Sequence, residues 1–334
     1  MKLGVAIEES WAFFHEVYAE FDARHETTLF EARRVRVPIL RERLNRAVWR
    51  RDLQAFLRRN EVVFFEWASR LLAEATHMPK TCAIVTRLHR YEMYQWADRV
   101  NWKAVDRVIL VSEAKRREFL ARYPGMADKT AVVPEAVSLE KFPRSLKEYQ
   151  GRLGTLCHLS PRKRVYELIL AFYDLLCREG SFSLHIGGGP HPRFPDYEEA
   201  LHSLVRRLGL QDRVTFYGPV NDPAAWYGRI DVFISNSYSE GLQVSPMEAI
   251  AAGCDCLSHG WDGADELLPS EHLYYTDSQL MEKVLRLSRL SPDERRLRQE
   301  RLHEWVTSKF NVDNTKARLL GILDEARAAW LSGN

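Results

Sequence analysis

The sequence lacks several features that would place it in a specialised class of protein. No apolar run approaches the ~20 residues that a membrane-spanning helix needs. No internal repeat of solenoid period and no low-complexity tract is present. The five cysteines are an odd number without metal-site spacing, so we expect five reduced core thiols. The opening residues, MKLGVAIEES, reach acidic side chains too soon for a secretory signal, and together these features predict a cytoplasmic protein.

Net charge is also nearly absent, at +2, but it is unevenly distributed. The segment 31–60 holds ten arginines against three carboxylates. Apolar residues recur within it at helical spacing: Leu40, Leu44, Val48, Trp49, Leu53, Phe56 and Leu57. This pattern predicts an amphipathic basic helix over 39–59, docked on the protein by its apolar stripe with the arginines in solvent. The alternative is a dock for an anionic partner: a lipid-linked substrate, nucleic acid, or membrane headgroups at the inner membrane face.

What the chain does contain is an alternation of short, β-branched apolar runs with helical patterns. The runs form two series: 3–7, 27–32, 62–67, 82–87, 107–112 and 131–135, then 153–159, 182–187, 213–218, 231–236, 255–259 and 273–276. The alternation predicts an α/β protein with two Rossmann-like, doubly wound parallel sheets. A polar stretch with Pro143 separates the series, which predicts domains at 1–145 and 150–310. A last helix, 311–334, follows with Asp313 as its expected N-cap.

Three strand-end loops of the second domain carry residues suited to a nucleotide. Glu240 and Glu248 flank the start of a helix, whose N-terminus attracts phosphate, and Glu248 is placed to bind a diol such as ribose. The loop HLSPRKR offers Lys163 between two arginines, and the glycines of 186–190 permit close backbone approach. Each feature alone is as often an ordinary loop or surface residue. Their joint occurrence favours a ligand site at the carboxyl ends of the strands.

These motifs resemble those of the retaining glycosyltransferases of family 4, also called glycosyl transferases group 1. The most specific is the E-x7-E stretch from Glu240 to Glu248, followed by AIAAG. Also similar are LSPRKRVYELILAF, LHIGGGP, VTFYGPV and DVFISNSYSEG, and in the first half TRLHRYE and the run from VDRVILVSE to VVPEAVSLEKF. The resemblance covers roughly residues 80–330. It implies the GT-B fold, in which two Rossmann-like domains face each other across a cleft and the last helix crosses back to the first.

The resemblance also implies roles for individual residues. Lys163 would neutralise the leaving diphosphate, Glu248 would bind the ribose, and Glu240 and His89 would address the transferred sugar. The catalytic residues implied are His89, Glu240 and Lys163. The donor-binding residues implied are His158, Arg162, Lys163, Gly188, Val220, Leu242, Gln243, Val244 and Glu248, with the β-phosphate on the backbone amides of 242–244.

The chain departs from the family pattern at two places. The family usually has an arginine where this chain has His158, so that one phosphate cation is either missing or supplied by Arg162 or Arg164, or by His158 when it is protonated. It commonly has a glycine-rich acceptor loop where this chain has Glu9 and Ser10, which makes those two residues weak acceptor candidates.

The resemblance thus implies a retaining hexosyltransferase of glycan or glycoconjugate biosynthesis, such as polysaccharide biosynthesis. The donor would be a UDP-sugar first and GDP-mannose second. The acceptor would be a glycan, a lipid-linked saccharide or a small molecule. No DxD motif is present, and the resemblance implies neither a metal nor another cofactor.

One alternative is a catalytically silent GT-B protein that binds a nucleotide-sugar or a partner. An NAD-dependent oxidoreductase is disfavoured, because no G-x-G-x-x-G follows the first strand of either domain. Nucleic-acid binding would rest on 33–59 alone, and we expect none.

Overall fold

The computed structural model describes residues 1–11, 14–33, 41–145 and 147–333, which form two compact units. Unit 1 comprises Met1–Glu135 and Val312–Asn334, and unit 2 comprises Ala136–Asn311. Residues 136–145, expected in the first domain, therefore belong to unit 2. The reason is packing: the Val137 N–H donates to the Phe310 carbonyl over 2.9 Å, and Phe142 lies in a unit 2 core.

Unit 1 is built on a six-stranded sheet in the order β2-β1-β3-β4-β5-β6, and every neighbouring pair is parallel. Its strands are β1 (Lys2–Ala6), β2 (Glu26–Leu29), β3 (Val62–Phe65), β4 (Ala83–Leu88), β5 (Arg107–Leu110) and β6 (Thr130–Val132). Its helices are α1 (His15–Arg24), α2 (Arg41–Arg59), α3 (Arg70–Ala75), α4 (Arg90–Gln95), α5 (Glu113–Arg122) and, from the end of the chain, α13 (Val312–Gly333).

Unit 2 has a second six-stranded parallel sheet, in the order β12-β11-β10-β7-β8-β9. Its strands are β7 (Arg152–Leu156), β8 (Ser183–Gly187), β9 (Val214–Phe216), β10 (Val232–Ser235), β11 (Asp255–His259) and β12 (Leu273–Tyr274). Its helices are α6 (Val165–Arg178), α7 (Pro195–Arg207), α8 (Pro223–Tyr227), α9 (Val244–Ala251), α10 (Ala264–Leu267), α11 (Asp277–Ser288) and α12 (Pro292–Lys309).

Both faces of each sheet are covered because successive strand side chains point to opposite sides. In β3, Phe64 faces the core formed with α1 and α13, while Val63 and Phe65 face the core formed with α2 and α3. The Phe14 ring stacks on Phe64 with centroids 5.6 Å apart. This two-sided burial explains why the strands appear in the sequence as continuous apolar runs.

All twelve expected strands are present, and the predicted fold class, two doubly wound parallel sheets, is confirmed. Two smaller expectations were wrong. The last helix begins at Val312, so that Asp313 lies in its first turn and is not its N-cap. The cysteines are not all in the core, because the side chain of Cys177 is exposed near the end of α6 and Cys157 is half-buried.

The basic helix is present as α2, but only its second half is docked. Leu53, Phe56 and Leu57 are fully buried against the unit 1 sheet. Leu44 is 43% exposed, and Leu40 lies outside the described residues. The docking interpretation therefore holds for the carboxyl-terminal half of the helix. Within the described part of the chain, no helix is both long enough and apolar enough to cross a bilayer.

We expect Leu319→Ala in α13 to lower the free energy of unfolding of unit 1 by about 2–5 kcal/mol, because it opens a cavity in that core. Leu319 is fully buried, whereas Leu331 on the same helix is 56% exposed. Leu331→Ala is therefore the matched control, with an expected change within about 0.5 kcal/mol. Urea denaturation followed by tryptophan fluorescence measures both. Equal effects of the two variants would contradict the packing of α13 in unit 1.

Candidate functional site

The unit 2 sheet reverses its strand order between β7 and β10, and such reversals create a crevice at the carboxyl ends of the strands. The chain runs from β7 to one side of the sheet and from β10 to the other. The loops that follow these two strands, 157–164 and 236–243, therefore begin side by side. They hold most of the residues expected to bind the donor.

Backbone geometry ties the two loops together. Arg164 adopts a left-handed conformation with φ of 50°, and its carbonyl accepts a 2.9 Å hydrogen bond from Asn236 Nδ2. The Tyr238 N–H donates to the Arg162 carbonyl over 3.2 Å. Asn236 is held in turn by the buried Tyr274 hydroxyl at 2.7 Å. These bonds fix the position of Lys163 relative to the residues after β10.

Glu240 lies at the centre of this contact and is 7% exposed. Its Oε1 accepts from Lys163 Nζ at 2.7 Å and from Gln243 Nε2 at 3.0 Å, and it also pairs with the Arg162 guanidinium. Burial opposes ionisation of this carboxyl, but Lys163 and Arg162 together outweigh it and lower its pKa to about 2. Glu240 is therefore a carboxylate at neutral pH, in contact with two cations.

The two arginines beside Lys163 point in different directions. Arg162 Nη1 donates to the Ser239 carbonyl at 2.9 Å, so its guanidinium lies in the Glu240 cluster. The left-handed turn at Arg164 sends its side chain toward Asp277, with the charged groups 3.7 Å apart. The structure thus places Arg162, and not Arg164, with Lys163. The ring of His158 instead lies edge-on to His191, with centroids 6.3 Å apart.

Glu248 lies one turn into α9, separate from the cations. Its Oε2 accepts a 2.8 Å hydrogen bond from the fully buried Tyr227 hydroxyl. Burial raises the pKa of this carboxyl, and the Tyr227 bond only partly offsets the rise. Within the described residues the other oxygen, Oε1, has no hydrogen-bond partner, which suits it to accept from a ligand hydroxyl.

The start of α9 has amides free of a side-chain cap. The preceding residue, Gln243, lies at the N-cap position but directs its side chain to Ser237 and Glu240. The unpaired amides and the positive end of the helix dipole form a site for an anion. Val244 is the first residue of the helix, while Leu242 and Val220 are half-buried against the core beneath it.

The glycines after β8 are required by their geometry. Gly188 has a φ of +115°, and its N–H donates to the Gly218 carbonyl at 2.8 Å. A Cβ on Gly188 would lie 1.8 Å from the Cys157 carbonyl oxygen. The backbone here is therefore packed directly on the start of the Lys163 loop, which leaves no room for a side chain.

In unit 1, a buried cluster of charges lies at the ends of β3, β4 and β6. Arg87 Nε donates to both carboxylate oxygens of Glu66, at 3.1 and 3.2 Å, and Arg87 Nη1 lies 3.5 Å from Glu135. His89 Nδ1 lies 2.9 Å from Glu135 Oε1, and the imidazole packs on Trp67 with ring centroids 4.3 Å apart. His89 is thus one member of an ionic network and not an isolated loop residue.

The weak acceptor candidates after β1 are exposed. The Ser10 carbonyl accepts from Trp67 Nε1 at 3.0 Å, and Glu9 lies beside it at the surface. The preceding Glu8 accepts hydrogen bonds through Oε2 from Ser69 Oγ and from the Leu71 N–H, both at 3.2 Å, and so joins the loop after β1 to the start of α3.

Within the described residues, no group of three or more His, Cys, Asp or Glu side chains is placed to hold a metal ion.

Sequence reasoning missed three residues that support this chemistry: Glu66, Glu135 and Tyr227. A signal existed for the first two, because Arg87 is a charged residue inside an apolar strand and such a residue needs a buried partner. No local pattern singles out Tyr227, which reaches Glu248 from α8.

Comparison with known proteins agrees with this geometry. Residues 150–289 match the family model described as glycosyl transferases group 1. The alpha-monoglucosyldiacylglycerol synthase of Streptococcus pneumoniae is 30% identical over 210 residues, which are 57% of this chain and 46% of that protein. This chain spans less than half the length of the curated relatives it matches.

Solved structures match nearly the whole chain at low identity. Sucrose-phosphate synthase from Thermosynechococcus elongatus has a TM-score of 0.77 at 15% identity and covers 98% of this chain and 100% of its own. HepE of Anabaena, solved with UDP and glucose, has a TM-score of 0.79 at 16% identity and covers 96% of this chain and 99% of its own. The two Rossmann-like units therefore have the GT-B fold.

We expect Gly188→Ala to destabilise unit 2, because an unfavourable φ alone costs about 1–3 kcal/mol and the clash with the Cys157 carbonyl adds to it. Gly180→Ala is the matched control, since its Cβ would meet nothing within 4 Å. Thermal unfolding of both variants is the measurement. A Gly188→Ala protein as stable as the control would mean that this loop packs differently.

Proposed function

We propose that this protein transfers a sugar from a nucleotide diphosphate-sugar to a hydroxyl acceptor. The match of residues 150–289 to the family model of group 1 glycosyltransferases supports this proposal. The reaction proceeds with retention at the anomeric carbon. The observation that carries the proposal is the cluster of Lys163, Arg162 and Glu240 beside the uncapped start of α9.

The diphosphate is the part of the donor that this cluster suits best. Cleavage of the sugar–phosphate bond leaves negative charge on the β-phosphate. The ammonium of Lys163, the guanidinium of Arg162 and the amides at the start of α9 are positive groups that stabilise that charge as it develops. Their positions are fixed in advance by Glu240, so that little reorganisation is needed when the donor binds.

The remaining donor groups have matching partners. Glu248, held by Tyr227, has a free carboxylate oxygen for the ribose hydroxyls. Glu240 has a second oxygen for a hydroxyl of the transferred sugar, and a sugar hydroxyl is also the ligand that the family resemblance implies for His89. As the bond breaks, the sugar becomes oxocarbenium-like. The acceptor hydroxyl attacks on the face that the diphosphate leaves and gives its proton to the departing diphosphate.

UDP-sugars are the first candidates for the donor and GDP-mannose is the second. The solved complex of HepE with UDP and glucose, which shares the fold, supports this order. The acceptor is assigned only as a hydroxyl compound.

We expect one nucleoside diphosphate, among UDP, GDP, ADP, CDP and TDP, to raise the melting temperature of the wild-type protein. At 100-fold over its dissociation constant such a ligand adds ~2.7 kcal/mol of stability. Glu248→Ala should lose most of this response, whereas Glu199→Ala, which removes an exposed acid from α7, should keep it.

The outcomes separate the competing functions. No response to any diphosphate would overturn the donor site, and a response to NAD alone would favour an oxidoreductase. The same response without turnover of the corresponding nucleotide-sugars would identify a catalytically silent binding protein.

We further expect Arg162→Ala to weaken binding of that diphosphate about tenfold or more, since a hydrogen bond to a charged group contributes about 1.5–3 kcal/mol. Arg164→Asn is the control, because asparagine tolerates the left-handed backbone of that residue and Arg164 points away from Glu240. We expect its affinity to stay within about twofold of wild type. Isothermal titration calorimetry measures both affinities. A loss of affinity confined to Arg164→Asn would mean that Arg164, and not Arg162, supplies the second phosphate cation.

A further inference from the structure

The unit 1 cluster contains two carboxylates but only one permanent cation. Glu66 and Glu135 are 1% and 4% exposed, and both contact Arg87, which is 1% exposed. A buried carboxylate without a compensating cation is strongly disfavoured. A second positive charge in contact with these carboxylates would balance the cluster, and His89 is the side chain placed to carry it.

We infer that Glu135 is a positioning residue that keeps His89 protonated, so that His89 presents a charged Nε2–H donor to the transferred sugar. The inference rests on the proposed function, because it concerns how His89 acts in that reaction. His89 is the residue that contacts the substrate, and Glu135 acts through it.

The geometry of the imidazole supports this role. Nδ1 lies 2.9 Å from Glu135 Oε1, which is hydrogen-bond distance for a protonated Nδ1. The other nitrogen, Nε2, lies 3.5 Å from Glu66 Oε1, too far and without a hydrogen bond to any described residue. Nε2 is also shielded from solvent. An enclosed donor without a partner is costly, so a sugar hydroxyl would gain a charge-assisted hydrogen bond from Nε2 once the side chains that cover this atom move aside.

The other carboxylates near the ring, Glu66 and Glu92, act in the same direction as Glu135. Burial disfavours the imidazolium, but the bond and charge of Glu135, then Glu66 and Glu92, outweigh burial and raise the pKa of His89 to about 10. Glu92, on α4, is itself fully buried, and burial raises its own pKa. The guanidinium of Arg87 contacts Glu66 and Glu135 and, as a cation, opposes a positive charge on the imidazole.

The direction of the pKa shift fixes the effect of pH on stability. The folded-state pKa of His89 lies above its ordinary value of 6.5. The stability that its charge contributes is therefore fully present below pH 6.5 and is lost as the pH rises toward about 10.

The test is a pH titration of His89 by NMR in protein labelled at its eleven histidines, with the signal assigned by its loss in His89→Gln. In the wild type we expect the ring to stay protonated from pH 6 through pH 8.5. A wild-type ring that titrates near 6.5 would overturn the inference without any variant. Glu135→Gln should lower the pKa of His89 by more than about one unit, whereas Glu325→Gln, an exposed acid on α13, should not change it.

Kinetics distinguish positioning from a purely structural role. With the donor class established, kcat/KM of Glu135→Gln should fall at least about twofold between pH 6 and pH 9, while Glu325→Gln follows the wild type. A loss that is uniform at all pH values, with His89 still charged, would contradict the inference. If His89 is charged but the protein turns over no nucleotide-sugar, the proposed function is overturned. The conclusion that Glu135 keeps His89 protonated would still hold.

Discussion

The buried carboxylate of Glu240 holds together the two loops on which the proposed donor site of unit 2 depends. Lys163 and Arg162 are neighbours in the chain, and their like charges would separate without an anion between them. Removing such groups from water costs several kcal/mol for each ion, and the close Coulomb contacts offset that cost. The result is a fixed pair of cations beside the start of α9. The desolvation cost of these ions therefore goes with a fixed placement of charge and not with a large gain in stability.

Much of this architecture follows from local sequence patterns. The strands are recognisable because both sheets are buried on two faces, which demands continuous apolar runs such as Val62–Phe65. The proposed donor site is recognisable for a similar reason, because Lys163, Glu240 and Glu248 lie in short segments that follow strands. Parallel topology then brings the ends of those strands to one edge of the sheet.

The side-chain contacts that the sequence does not predict depend on single backbone torsions and on pairs of residues that are far apart in the chain. Arg162 and Arg164 are equivalent in the sequence, and only the left-handed turn at Arg164 separates their side chains. The partners of Arg87 lie 21 residues before it in Glu66 and far after it in Glu135. No local pattern encodes such contacts, since they form only when the strands have paired. The exposure of Cys177 has the same origin, because the packing of α6 decides which of its faces is covered.

The two charged clusters differ in the charge they leave uncompensated, and that difference matches their proposed ligands. In unit 2, two cations surround one carboxylate, so the cluster keeps a surplus positive charge suited to a diphosphate. In unit 1, Arg87 and a protonated His89 balance the two carboxylates they contact, Glu66 and Glu135, so the cluster keeps no surplus positive charge. Such a cluster does not attract a free phosphate, but it still offers a strong hydrogen-bond donor at Nε2. An uncharged sugar hydroxyl is the ligand that gains most from such a donor, since it contributes a hydrogen bond without adding charge to a buried site.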